Sequence, residues 1–229
     1  MTLLVVVSDI HGNSLAMDKF VYEVDKIKPD FIICLGDTIG YLDQEVECYE
    51  TLKKIKAIHL MGNHEAMFVG ALEINTDFED VYKLNKAKER VSVELLKEIE
   101  KYPHYTNWNE ENFIAEFYHG APNNLLNGRV YWDTDIEPNN KQTNFVFVGN
   151  THRSFSKSQS WGKVTNVGSL GIPRDNGQFG TFVMVDTEKK SILRKFIDIN
   201  LEEMRSRYKS VHPLVLENFN KRDTIADFD

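Results

Sequence analysis

Residues 3–13 read Leu3-Leu4-Val5-Val6-Val7-Ser8-Asp9-Ile10-His11-Gly12-Asn13, and this stretch decides the fold. Five consecutive apolar residues, three of them β-branched, predict a strand covered on both faces, as in a parallel sheet. Working outward, Leu15, Phe20, Val21, Val24 and Ile27 follow at close to helical period, from about Ser14 to Ile27, and Pro29 stops them. Phe31 to Leu35 is a second apolar run, Glu45 to Ile55 suits a helix, and Ala57 to Met61 a third strand. The order βαβαβ predicts a parallel sheet flanked by helices.

Beyond it, about 65–101 turns helical and charged, with Val91, Leu95, Leu96 and Ile99 as the buried stripe. Phe113 to Phe117 reads as a strand. About 122–142, rich in Asn, Asp and Pro, reads as an irregular excursion of the kind that is often functional. Phe145–Val148, Lys163–Val167, Thr181–Val185 and Ile192–Ile197 read as strands joined by turns, Asp175-Asn176-Gly177 among them. A helix from about Leu201 and a polar tail close the chain. No repeat, linker or break in composition interrupts it, which predicts one domain over residues 1–229.

The composition is globular: 229 residues, 41% hydrophobic and 27% charged. With 27 Lys+Arg against 35 Asp+Glu the net charge is −8, which disfavours binding of long nucleic acids through their phosphates. Only Cys34 and Cys48 are present, without CxxC spacing, so no disulfide framework or cysteine zinc site is expected. No basic n-region precedes Leu3–Val7, and no apolar stretch approaches the ~18 residues of a spanning helix. A cytoplasmic location without membrane association is the expectation; the oligomeric state is left open.

Each early strand ends in chemistry-bearing residues. Asp9-Ile10-His11-Gly12-Asn13 follows the first, Gly36-Asp37-Thr38-Ile39-Gly40 the second, and Gly62-Asn63-His64-Glu65 the third. His119-Gly120 and Gly149-Asn150-Thr151-His152-Arg153 follow later strands. In a parallel sheet the carboxyl ends share one edge, where ligands bind. Carboxylate, imidazole and amide oxygen together suit Mn²⁺, Fe²⁺, Zn²⁺, Co²⁺ or Ni²⁺. Singly, each cluster has a plainer reading: Gly36-Asp37 as a turn, Asn63-His64-Glu65 as a helix N-terminus, His119 as a structural histidine. Five in this order argue for one convergent site.

These blocks resemble the calcineurin-like metallophosphoesterases, whose ordered motifs are D-x-H, G-D, G-N-H-[DE], H and G-H-x-H. Asn166-Val167-Gly168-Ser169-Leu170-Gly171-Ile172-Pro173-Arg174-Asp175 further resembles a segment of small bacterial and archaeal members, some labelled diadenosine-tetraphosphatase-like. The resemblance runs from Asp9 to about Gly177. It implies a four-layer α-β-β-α sandwich of two mixed sheets flanked by helices, with a two-metal site on one edge. Carried over, Asp9, His11 and His152 hold the first metal, Asp37 bridges both, and Asn63 and His119 hold the second. His64 contacts the phosphate and protonates the leaving group, with Glu65 orienting its ring. Asn150 stands where the family has a second-metal histidine. An amide oxygen is a poorer ligand than imidazole for these ions, so a weaker or more exchangeable second metal is expected.

The implied activity is metal-dependent hydrolysis of a phosphomonoester or phosphodiester, a nucleotide among the candidates, by a hydroxide bridging two divalent ions, Mn²⁺ first among them. No GxSxG, CxxxxxR or GxxxxGK[ST] motif offers a rival chemistry. Arg153 and Arg174, beside the site blocks, are candidates for gripping phosphate, and Asn13 for reaching phosphate or capping the following helix. Tyr118, Tyr131 and Trp132 read as base-stacking or as packing residues. The alternative is a binding or scaffold module of the same fold, of the kind that has lost its metal ligands.

Overall fold

A computed structural model describes residues 2–74, 76–208 and 210–228. The predicted helical insertion and C-terminal tail include Asn75, Lys209 and Asp229, which lie outside the described residues.

The opening run forms β1 (Leu3–Val7), followed by α1 (Ser14–Ile27), β2 (Phe31–Cys34), α2 (Glu45–Lys54) and β3 (Ile58–His59). β1 pairs parallel to β2, and β2 to β3. The continuous apolar run is explained by what covers each face. Val5, Val7, Ile32 and Cys34 pack on Met17, Phe20 and Val24 of α1 and Cys48 and Leu52 of α2. Leu4, Val6, Ile33 and Leu35 pack on Phe113, Phe117 and Phe147 of a second sheet.

Short helices α3 (Asn63–Phe68), α4 (Glu79–Tyr82), α5 (Leu84–Ala87) and α6 (Val93–Ile99) follow. Leu95 and Ile99 are buried there, with Val91 and Leu96 packed beside them, as the stripe predicts. Then come β4 (Tyr105–Glu110), β5 (Phe113–Tyr118), β6 (Phe145–Val148), β7 (Phe155–Gln159), β8 (Gly162–Asn166), β9 (Phe179–Asp186), β10 (Ser191–Asp198), α7 (Leu201–Arg207) and α8 (Pro213–Asn220). The sheets run β10-β9-β1-β2-β3 and β4-β5-β6-β8-β7, each mixing parallel and antiparallel pairs. Two mixed sheets packed face to face and flanked by helices are the α/β sandwich that the sequence predicts.

Strands β4 and β7 and helix α8 were not foreseen. The excursion at 122–142 forms no helix or strand, yet it is firmly held. Leu125, Val130 and Ile136 cover the outer face of the second sheet. Buried Glu116 accepts the backbone N–H of Asn139 (3.0 Å) and Asn140 (2.7 Å) and the hydroxyls of Tyr118 (2.6 Å) and Thr143 (2.9 Å). Tyr118 is thus core. Tyr131 and Trp132 are about 40% exposed, with Trp132 edge-on to Phe155. Among the described residues no helix is long and apolar enough to cross a membrane.

Candidate metal centre

Six parallel strands, β1, β2 and β3 in one sheet and β5, β6 and β8 in the other, end at one edge of the sandwich. The segments at their ends carry Asp9 and His11, Asp37, Asn63 and His64 at the start of α3, His119, Asn150 and His152, and the Asn166–Asp175 segment. Asp9 (φ 56°), His11 (52°), Asp37 (57°), Asn150 (63°) and His152 (59°) all adopt the left-handed region, which Asp, Asn and His tolerate better than other side chains. Such a concentration of unusual backbone geometry is typical of functional sites. Gly171 lets a second segment approach: a Cβ there would lie 1.8 Å from the Ile10 carbonyl oxygen. Its N–H donates to the Asp9 carbonyl (3.1 Å), and Ser169 Oγ donates to the same oxygen (2.7 Å).

Within the site the donor atoms crowd together. His11 Nδ1 faces the Ile39 carbonyl (3.0 Å) and His152 Nδ1 the Ile172 carbonyl (2.6 Å). A carbonyl only accepts, so both Nδ1 atoms carry a proton, which leaves each Nε2 as the ring atom free to offer a lone pair to a metal. These two Nε2 atoms lie 3.2 Å apart. Asp9 Oδ1, buried and without a hydrogen-bond partner among the described residues, lies 3.2 Å from Nε2 of His152 and 3.8 Å from Nε2 of His11. Three lone-pair donors facing one another in a buried space repel until a cation sits among them. That donor set of two imidazoles and a carboxylate fits a divalent transition metal.

Asp37 joins this cluster to a second. Its Oδ2 lies 3.7 Å from His11 Nε2, 4.0 Å from His64 Nε2 and 3.4 Å from His119 Nε2, which in turn is 3.0 Å from Asn63 Oδ1. Its Oδ1 accepts the His64 backbone N–H (2.9 Å). Asp9, His11 and His152, then His11, Asp37 and His64, then Asp9, Asp37 and His119 form overlapping groups whose ligand atoms lie within 4.8 Å of one another.

The electrostatics follow from burial and these contacts. Burial pushes both carboxyls up, but His152 beside Asp9 holds it below its ordinary range, and His119, His64 and His11 hold Asp37 well below. Burial pushes His11 well down and His64 to about 4. For His119 burial is outweighed by Asp37, which lifts it to about 9. His59, outside the site and hydrogen-bonded to Thr38 Oγ1 (3.0 Å), is pushed to about 3 by burial.

A pH dependence follows. His11, His59 and His64 stay neutral in the folded metal-free chain, while the unfolded chain protonates them near pH 6.5. Between about pH 6.5 and 4 the unfolded state therefore binds more protons, and stability falls as pH falls, by up to ~1.4 kcal/mol per pH unit for each such histidine. His119 contributes in the opposite sense: its raised value adds stability below pH 6.5 that is lost as pH rises through about 9. Glu65, lifted to about 7, opposes them by one proton between pH 7 and 4.5. The three histidines outweigh it, so thermal melts in chelator should show the melting temperature falling from pH 7 to pH 4.5, and a flat profile would contradict the burial argument.

Other predicted residues take different parts. Asn13 spends both ends of its amide on the fold: Oδ1 accepts the Ala16 N–H (3.1 Å) to cap α1, and Nδ2 donates to the Gly171 carbonyl (2.7 Å). It is fully buried, so of its two expected parts the structure shows the cap of α1. Glu65 does not hydrogen-bond His64. Its two oxygens accept the N–H groups of Asp37 (2.7 Å), Thr38 (2.7 Å) and Gly62 (3.0 Å) and the Tyr49 hydroxyl (2.9 Å). It therefore orients the Asp37 loop and not the His64 ring. Burial lifts Glu65 to about 7, with Asp37 adding to the effect and those N–H groups opposing it.

Arg153 turns to Asp223 (3.5 Å), on a pocket of about 360 Å³ with Tyr131 and Trp132. Arg174 donates to the Tyr41 hydroxyl (3.0 Å), and Tyr41 packs on His64 and His11. Asn150 donates its backbone N–H to Asp9 Oδ2 (3.1 Å) and its Nδ2 to the carbonyls of Gly128 (2.9 Å) and Leu126 (3.3 Å), tying the excursion to the site. Sequence reasoning missed Tyr41 and Tyr82; the one available signal was the position of Tyr41 directly after the Gly36–Gly40 block.

Comparison with known proteins agrees with this geometry. An uncharacterized protein of Methanocaldococcus jannaschii is 24% identical over 218 residues, covering 86% of this chain and 89% of the relative. The fold is similar to that of a hypothetical protein from Pyrococcus horikoshii (TM-score 0.82, 18% identity, 96% of this chain and 98% of that one). It is also similar to that of a metallophosphoesterase from Sphaerobacter thermophilus (TM-score 0.74, 17% identity, 96% and 98%). The profile of the calcineurin-like phosphoesterase superfamily domain matches residues 1–190, which span every loop of the metal centre, and the chain belongs to that superfamily.

Proposed function

We propose that this protein is a metal-dependent phosphoesterase acting on a small phosphomonoester or phosphodiester. The observation that carries the reading is the pair of lone-pair-bearing Nε2 atoms of His11 and His152, 3.2 Å apart beside the unpartnered Asp9 Oδ1. In this reading Asp9, His11 and His152 would hold one divalent ion and Asn63 and His119 another, with Asp37 available to both and Mn²⁺ the first candidate. With its amide nitrogen committed to Gly128 and Leu126, Asn150 has its side-chain oxygen left for coordination. When bound, the ions neutralise phosphate charge and acidify water.

The chain's own residues supply the rest. His64 is placed with Nε2 on the Asp37 side; neutral in the metal-free chain, it would take up a proton with the charged phosphate and pass it to the leaving oxygen, a contribution of roughly 10²–10⁴-fold. Arg174, held by Tyr41, offers a cation for a phosphate oxygen. Against the scaffold alternative stand Asp9, His11, Asp37, Asn63, His64, His119 and His152, all present and convergent. The −8 charge leaves a small phosphoester substrate open and disfavours long polyanions.

The test is hydrolysis of p-nitrophenyl phosphate and bis-p-nitrophenyl phosphate with Mn²⁺, Zn²⁺, Ni²⁺ or Co²⁺, together with melts in the same solutions. Turnover should appear with metal and vanish in chelator. Metal at about 100 times its dissociation constant should add about 2.7 kcal/mol of stability per site. No turnover with any ion and no melting shift would overturn the reading.

A further inference from the structure

His64 lacks the partner that an acid–base histidine ordinarily has. Its Nδ1 is buried and has no hydrogen-bond partner among the described residues, and Glu65 is committed elsewhere. Its ring is instead held by aromatic faces. Tyr41 stacks on it, with centroids 5.0 Å apart and planes at 29°, and Tyr82 packs edge-on at 4.7 Å and 61°. Gly40 closes the remaining side, since a Cβ there would lie 2.4 Å from His64 Nδ1.

Tyr41 is itself fixed on every side. It is 6% exposed, its N–H donates to the Tyr82 carbonyl (2.8 Å), its ring edge meets His11 at 4.6 Å, and its hydroxyl accepts from Arg174 (3.0 Å). It also occupies the left-handed region (φ 66°), uncommon for a bulky side chain. One residue therefore touches His64, His11 and the candidate phosphate-binding arginine. Through Tyr82 it also reaches the helical insertion.

We propose that Tyr41 is the positioning residue for His64, its ring setting the imidazole plane in place of a carboxylate and its hydroxyl setting Arg174 beside it. This rests on the phosphoesterase reading for its consequence in catalysis, though not for the placement of the ring. A histidine held by ring packing, here Tyr41, Tyr82 and His11, gains freedom to rotate once the stacked ring is removed, and misplacement of an acid by about 1 Å costs on the order of 10²-fold. The cost falls where protonation matters, on esters with poor leaving groups.

The experiment compares kcat/KM for a p-nitrophenyl ester and the matching phenyl ester in the metal-loaded enzyme. Tyr41→Leu should raise the nitrophenyl-to-phenyl ratio by about tenfold or more. Tyr41→Phe, which keeps the ring, should hold that ratio within about threefold of wild type while raising KM for both esters through the loss of Arg174's anchor. In a His64→Gln background Tyr41→Leu should leave the ratio unchanged. An unchanged ratio in Tyr41→Leu, or the same change without His64, overturns the proposal.

A second readout needs no turnover. In the Zn²⁺-loaded protein the His64 ring protons, assigned by their loss in His64→Gln, should be shifted by the Tyr41 ring current, the shift kept in Tyr41→Phe and lost in Tyr41→Leu. A His64 ring insensitive to Tyr41→Leu overturns the placement even if the enzyme reading fails. Tyr82→Leu, which removes the other tyrosine ring packed on His64, should shift the same resonances if Tyr41→Leu does not fold.

Discussion

Replacing Asp37 with asparagine is expected to lower metal-dependent kcat/KM by about 10³-fold or more, since bound metal supplies several kcal/mol of charge stabilisation. The substitution isolates charge from shape. Asparagine tolerates the left-handed backbone that Asp37 adopts (φ 57°), and its carbonyl can still accept the His64 N–H. What disappears is the negative oxygen that lies within 4.0 Å of His11, His64 and His119, with an NH₂ group at risk of facing the same imidazoles. Among the described residues no other carboxylate lies within 4.0 Å of all three, so the centre has no substitute. Kinetics against Mn²⁺ concentration check this, and an Asp37→Asn enzyme within tenfold of wild type at saturating metal would refute the role of Asp37.

The second large effect is on stability. Glu65 is fully buried and receives four donors, three of them backbone N–H groups. Glu65→Ala orphans all four, and each buried unsatisfied group costs roughly 1–3 kcal/mol. Partial rearrangement and water entry reduce the sum, so a loss of about 3–5 kcal/mol is expected. For a chain of this size that corresponds to roughly 6–20 °C in melting temperature. Because Glu65 makes no hydrogen bond to His64, the variant's residual activity should keep the wild-type preference between good and poor leaving groups. Calorimetry settles the first part, and a shift under about 2 °C would show that the donors find other partners.

The elements that were legible in the sequence are those with a physical reason to be. β1, β2 and β6 lie between packed faces, so their residues are continuously apolar, and α1 shows its period because one stripe meets the first sheet. The missed strands are edges. β4, Tyr105-Thr106-Asn107-Trp108-Asn109-Glu110, alternates between exposed and half-buried along its length, and β7 buries little beyond Phe155. Neither leaves an apolar run to read. α8 hid in a polar tail: its two buried residues, Val215 and Phe219, stand four apart, and its start is capped by His212 before Pro213.

The site divides the same way. That Asp9, Asp37, His119 and His152 converge was legible, because each follows a strand and the parallel strands share an edge. Side-chain direction was not. Whether Asn13 faces a substrate or caps α1 depends on Gly171, which is 158 residues away. Arg153 finds Asp223 only because the C-terminal tail returns across the second sheet, and Glu65 serves the Asp37 loop because β2 and β3 are neighbours. Such partners are distant in sequence, and no local pattern announces them.

The central claim, that this edge is a two-ion centre, is tested most directly by anomalous scattering from crystals soaked in Mn²⁺. The account predicts two peaks, one among Asp9, His11, Asp37 and His152 and one among Asp37, Asn63 and His119. No peak at Asp37, or peaks only elsewhere on the chain, would contradict it.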